Sequence, residues 1–370
     1  MSQLASDHAH RVVGLYGDPT VSWSILLEAR LATPLDPAKA RDRLKAAIEE
    51  HPHLGAVPDV LTVPAAEFSP ARERFAATPY ERGEPLIRVA VATDTPAVLI
   101  AAHHGALDGL GLLSVLATAL DVPISSGAKG IGARTADHSF LASAFRRLFE
   151  ALFAPPARIS PDRVVPEPGD VFDARNEPKA RISSASFVAA AARATERWNT
   201  QHGVRTARVV AAVGASNRGG ESLEPKHDSA FFRLRLRPGP AVEDVGKLLA
   251  EQPPEPDFPA RESRFMRLGT RILASRLGST FLVSNLGVVT AGDAVRSLAF
   301  YPAASGRSGV AFGAATVGET TTVTIRARRK DFDGPSAGQL VDELMTAVRR
   351  QGGSEDARPG RGHAGDVAHQ

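Results

Sequence analysis

The chain contains no cysteine in 370 residues, which excludes a disulfide framework, a cysteine nucleophile and a thiolate metal site. No uninterrupted apolar run reaches the roughly 20 residues that a membrane-spanning helix needs. The first residues, MSQLASDHAHR, carry no apolar core of a secretory signal. A soluble, cytoplasmic protein is therefore expected. Excess charge of one sign is also missing: 44 Lys and Arg against 41 Asp and Glu leave a formal charge of +3, too little to argue for nucleic-acid binding. Gly127, Gly130 and Gly132 form a glycine cluster without the strand–turn–helix context of a phosphate loop, and a flexible loop is the expectation there.

What the chain does have is the run His103, His104, Gly105, Ala106, Leu107, Asp108, Gly109. Ala97 to Ala102 (AVLIAA) is a short apolar segment bounded by Pro96 and reads as a buried strand that ends in two histidines. Adjacent strand side chains point to opposite faces, so one histidine can meet a substrate while the other braces it. The same geometry speaks against both holding one metal ion, and no metal is expected. Leu110, Leu112, Leu113, Leu116, Ala117 and Leu120 then recur at helical spacing. Asp108 and Gly109 thus stand at a helix start, where a carboxylate serves as N-cap or in a buried ion pair. A histidine suits proton removal near neutrality, its ordinary pKa being about 6.5.

The sequence fits the HHxxxDG signature and resembles the acyl-transfer superfamily that includes chloramphenicol acetyltransferase, peptide synthetase condensation domains, wax ester synthases and polyketide-associated acyltransferases. Other segments follow the superfamily's order. Asp36, Pro37, Ala40, Leu44, Ala47 and Ile48 read as a capped amphipathic helix, and Glu50 to Leu54 is similar to an RHxxLR element without its arginines. There His51 and His53 read as helix-terminus residues. Trp23 to Ala32 and Pro85 to Val91 read as strands, as does Val209 to Val213, which leads to Arg218. Phe281 to Gly287 (FLVSNLG) is similar to the superfamily's SNxxG segment, whereas Ser229 to Phe232 departs from its glycine-containing element. Thr322 to Ala327 and a helix from about Ser336 to Arg349 would close the second lobe.

The resemblance implies an α/β fold of two chloramphenicol acetyltransferase-like lobes, each a mixed sheet with flanking helices, forming a V-shaped cleft with the active site at the lobe interface. The expected boundaries are 1–153 for the first lobe, 154–180 for a proline- and glycine-rich linker, 181–350 for the second lobe and 351–370 for a disordered tail. The resemblance assigns catalysis to His104 as general base, braced by His103, with Asp108 and Gly109 completing the motif. Asp108 would pair with Arg218, and Ser284 with Asn285 would orient a substrate carbonyl. The implied reaction moves an acyl group from coenzyme A or a carrier-protein phosphopantetheine to a hydroxyl or amine. The thioester is a co-substrate and no cofactor is expected; an acyl or peptidyl carrier protein is a possible partner. A silent carrier-docking module and a cyclising catalyst remain open as alternatives. Arg326, Arg328, Arg329 and Lys330 could meet a phosphate of coenzyme A or an acidic carrier protein, their plainer reading being a solvated strand edge.

Overall fold

The computed structural model describes residues 9, 22–132, 134–137, 139–221, 223–256 and 278–355. The strands pair into two sheets. The first contains β1 (Ser24–Leu31), β2 (Val60–Val63), β3 (Ile87–Ala92), β4 (Ala97–His103) and β10 (Val295–Tyr301), in the order β10-β1-β4-β3-β2. Its pairs are antiparallel except β2 with β3. β4 is buried at every residue, which is why AVLIAA shows no polar alternation: both of its faces are covered. Helices α1 (Pro37–Glu50) and α3 (Gly109–Leu120) cover the face of Val98, Ile100 and Ala102, while α2 (Phe68–Ala77) covers the face of Leu99 and Ala101. Asp36 caps α1 by accepting from the amides of Ala38 and Lys39 at 2.9 and 3.3 Å, and Pro37 sits in the first turn where its missing N–H costs nothing.

The second sheet runs β6-β12-β11-β9-β7-β8, from β6 (Asp170–Pro178), β7 (Val209–Ser216), β8 (Ser229–Leu236), β9 (Phe281–Thr290), β11 (Val310–Val317) and β12 (Thr320–Arg328). β9 pairs in parallel with both β7 and β11, and the short β5 (Ser125–Ser126) adds to β9. Helices α5 (Ser184–Gln201) and α7 (Gly334–Glu355) pack on this sheet through Phe187, Trp198, Leu340 and Leu344. Helix α6 (Val242–Glu251) adds the buried Val245 to the same core, and helix α4 (Phe140–Phe153) is tied to β8 by the Glu150–Arg233 ion pair. The architecture is thus α/β with two mixed sheets and flanking helices. Among the described residues no helix is long and apolar enough to cross a membrane.

Three details differ from the sequence-based expectation. Residues 170–178 of the expected linker form β6, the edge strand antiparallel to β12. DVFDARNEP has no strand periodicity of its own; pairing with β12 supplies it. Val295–Tyr301, from the second half of the chain, joins the first sheet beside β1, and its Leu298 and Phe300 complete the first core together with Leu286 of β9. The sheets therefore do not divide at one point in the sequence. Residues 351–355, expected in the tail, continue α7; the rest of the expected disordered tail, like residues 1–8 and 10–21 of the first lobe, lies outside the described residues.

Candidate active site

β4 ends with backbone bonds from the His103 amide to the Leu86 carbonyl and from the His104 amide to the Trp23 carbonyl, at 2.9 and 2.7 Å. The chain then turns, with the Ala106 amide on the His103 carbonyl at 2.9 Å, and α3 begins. The extended Asp108 is its N-cap: the Asp108 Oδ1 accepts from the Gly111 amide at 2.7 Å. Strand, turn and capped helix place the two histidine rings in different surroundings.

His103 is fully buried. Its Nδ1 accepts from the Gly105 amide at 3.1 Å, and its ring meets Tyr80 edge-to-face at 5.3 Å. The Tyr80 hydroxyl lies 3.1 Å from Ser24 Oγ, and the Arg88 guanidinium stacks 3.8 Å over the Tyr80 ring. His103 is thus part of a buried polar layer beneath the motif.

His104 is half-buried, and its Nδ1 lies 3.1 Å from the Leu107 carbonyl oxygen. A carbonyl oxygen can only accept, so Nδ1 carries the proton and Nε2 is left with the basic lone pair. Burial lowers the pKa of this imidazole, outweighing the opposing effects of the Leu107 bond and the Asp108 charge. At neutral pH the ring is accordingly neutral and able to take a proton. Its second neighbour is His227, edge-to-face at 5.2 Å.

The segment that carries His227 comes from the other half of the chain and is pinned to the first at every step. Arg218 Nη2 reaches Asp108 Oδ1 at 3.0 Å and also donates to the Glu224 carbonyl at 3.0 Å. Asp108 Oδ2 accepts from the Asp228 amide at 3.1 Å, and the Asp108 amide donates to the Lys226 carbonyl at 3.3 Å. His53 Nε2 sits 2.6 Å from the Pro225 carbonyl, so this residue does more than end a helix. The approach is close enough that a Cβ on Gly111 would lie 2.7 Å from the Lys226 carbonyl oxygen. Asp108 keeps a raised pKa even so, because its burial outweighs Arg218 and the two backbone amides.

Gly109 opens α3 where a Cβ would meet Leu286 Cδ2 at 2.7 Å; its lack of a side chain lets the helix start approach β9. Ser284 and Asn285 are successive residues of β9 and face opposite sides. Ser284 lies beside Gly214 and Gly313 of the neighbouring strands. The Asn285 amide is engaged with backbone: Nδ2 donates to the Ile182 carbonyl at 2.8 Å and Oδ1 accepts from the Gly287 amide at 2.9 Å. The resemblance has the two orient a substrate carbonyl; in the strand the pleat and the backbone bonds of Asn285 separate them. Arg326 is also corrected: it is buried and paired through Nε with Asp170 Oδ2 at 2.7 Å, while Arg329 binds Glu73 at 2.6 Å. Gly130, expected in a flexible loop, lies against the Arg218 backbone, where a Cβ would approach the Arg218 carbonyl carbon to 2.5 Å.

His227 and Tyr80 were not legible as site residues. His227 lies in LEPKHDS, a polar stretch without periodicity, and only its approach to His104 singles it out.

Over nearly its whole length the chain superposes on solved condensation domains. A variant of the starter condensation domain of rhizomide synthetase bound to C8-CoA has 15% sequence identity and a TM-score of 0.59, covering 95% of this chain and 94% of that one. The first condensation domain of the calcium-dependent antibiotic synthetase, in complex with a substrate analogue, also has 15% identity and a TM-score of 0.59, covering 92% and 94%. The fold is that of a condensation domain. The epimerization domain from the third module of tyrocidine synthetase B is similar at 11% identity and a TM-score of 0.50, covering 91% of this chain and 92% of that one. Neither family models nor curated protein sequences give a match. On this condensation-domain fold, HHxxxDG occupies the strand–turn–helix corner between β4 and α3, against which the second half of the chain folds.

Proposed function

We propose that the protein is an acyltransferase of the condensation type, moving an acyl group from a thioester of coenzyme A or carrier-protein phosphopantetheine to a hydroxyl or amine. The observation that carries this reading is the His104 tautomer: Nδ1 is bound to the Leu107 carbonyl, which leaves Nε2 as a neutral base in a partly desolvated corner. The condensation-domain fold supports it, as does the presence of C8-CoA in one structure with that fold.

In the proposed step His104 Nε2 takes the proton of the acceptor O–H or N–H as the acceptor attacks the thioester carbonyl carbon. The tetrahedral oxyanion collapses, the carbon–sulfur bond breaks, and the leaving thiolate recovers the proton from His104. The products are an ester or amide and a free thiol. Gly109, through its backbone N–H, and Ser284, through its hydroxyl, are the proposed oxyanion donors, a role typically worth about 2.7–4 kcal/mol per donor. Asn285, whose amide is committed to backbone, leaves Ser284 as the substrate-facing member of the two. Holding donor and acceptor together in the interlobe region supplies the remaining advantage of proximity.

The test is a mass-spectrometric screen of the purified protein with acyl-CoA and acyl-pantetheine thioesters against alcohols and amines. Acylated product that disappears in His104→Ala supports the reading. Thioester binding without product, in the wild-type protein, would instead identify a docking module.

A further inference from the structure

His104 takes part in an edge-to-face contact with an imidazole from the distant half of the chain, at 5.2 Å between centroids and 76° between planes. His227 is brought there by its neighbours rather than by its own secondary structure. Pro225 is held by His53, the Lys226 carbonyl by the Asp108 amide, and the Asp228 amide by the Asp108 carboxylate. Three successive anchors around one ring fix that ring's position to a degree a free loop could not. His227 is half-buried and so forms an outer wall of the His104 corner.

We propose that His227 is a positioning residue that holds the His104 ring with Nε2 aimed for proton transfer and seals that ring from water. The inference rests on His104 being the base. A single bond at Nδ1 leaves the imidazole free to tilt about it, and an edge-to-face partner restricts that motion, biasing the orientation by roughly threefold to tenfold. The charged groups around the two rings are Asp108 at the start of α3 and Arg218, Lys226 and Asp228 from the second half, with Lys226 itself paired to Glu224 at 2.8 Å. None of these is altered by replacing His227, and the ionisable imidazole 5.2 Å away is lost equally in the alanine and phenylalanine variants, so a difference between those two at His104 reports the ring wall.

The experiment is NMR titration of histidine-labelled protein, the His104 resonance being assigned by its loss in His104→Gln. The wild type, His227→Ala and His227→Phe are compared, with His227→Leu standing in if the alanine variant does not fold. The alanine or leucine variant is expected to titrate at higher pH, toward an exposed imidazole, as water reaches the ring. Phenylalanine, which keeps an aromatic edge, is expected to hold the wild-type midpoint. Turnover with an acyl-CoA should fall about threefold to tenfold in His227→Ala at little-changed KM and recover in His227→Phe. An unchanged His104 midpoint in every variant, or an equal shift with alanine and phenylalanine, overturns the proposal. The titration needs no substrate, so the absence of acyl transfer would refute the proposed function and leave this test intact.

Discussion

Arg218→Met and Asp108→Asn remove the two members of one ion pair, yet they are expected to cost different amounts. Asp108 has a side chain only 5% exposed against 13% for Arg218, and its burial already raises its pKa despite the arginine. Removing the guanidinium strands that carboxylate, a change worth about 3–5 kcal/mol. Removing the carboxylate charge is milder. Asparagine keeps an oxygen for the Gly111 amide but sets its NH2 where Oδ2 accepted from the Asp228 amide, while Arg218 retains the Glu224 carbonyl at 3.0 Å and Asp228 at 3.7 Å; the loss is then about that of the one charge-assisted hydrogen bond from the Asp228 amide, about 1.5–3 kcal/mol. With an unfolding entropy of about 2.1 cal/mol/K per residue over 370 residues, 1 kcal/mol corresponds to about 1.3 °C in Tm. The expected drops are about 4–6 °C for Arg218→Met and about 2–4 °C for Asp108→Asn. The double variant, with neither charge left buried, should melt no lower than Arg218→Met alone. The pH dependence has a definite sign. A carboxylate whose folded pKa is raised binds its proton more tightly in the folded state, so its ionisation opposes folding above that pKa and the cost vanishes below the unfolded value. The Arg218→Met deficit should therefore shrink as the pH falls through the raised Asp108 value toward the ordinary carboxylate range. Differential scanning calorimetry of the three variants over that range tests this; equal, additive losses that do not change with pH would refute the reasoning.

His104→Ala should reduce acyl transfer by about a hundredfold to ten-thousandfold with little change in Tm, while His103→Ala, which empties a buried site against Tyr80, should lose about 2–5 kcal/mol of stability; thermal melts and turnover of both variants check the division. Because burial lowers the His104 pKa and only the neutral ring is a base, kcat/KM should stay level down through the ordinary imidazole range and fall only at lower pH, as a rate profile will show. Gly111→Ala pushes a Cβ against the backbone carbonyl of Lys226 whereas Gly109→Ala meets the movable end of Leu286, so the first should cost about 1–3 kcal/mol and measurably more than the second in a denaturant melt. Direct attack by the acceptor requires both substrates bound together, so initial rates should give intersecting double-reciprocal lines; parallel lines with a trapped acylated protein would exclude His104 acting on the acceptor directly.

Local pattern alone determined much of the first half of the site. AVLIAA followed by two histidines, an Asp-Gly and a leucine-rich period of 3.6 can form little other than strand, turn and capped helix, and β4, the Asp108 cap and α3 lie where that pattern predicts. Alternation along the strand was enough to assign the two histidines to different surroundings. The capped helix after Asp36 and the strand Val209–Ser216 were legible for the same reason: short-range periodicity and a cap are encoded by neighbouring residues. Tertiary structure decided the rest. The polar sequence of Asp170–Pro178 becomes a strand only because β12 offers unpaired backbone, and Val295–Tyr301 joins the first sheet because β1 has a free edge there. Ser284 and Asn285 part company through the pleat and through an amide that backbone groups claim. His227 lies 123 positions from His104 by residue number and meets it through anchors on Pro225, Lys226 and Asp228. Contacts of that span depend on where two sheets come to rest against each other, and a one-dimensional pattern holds no record of that distance.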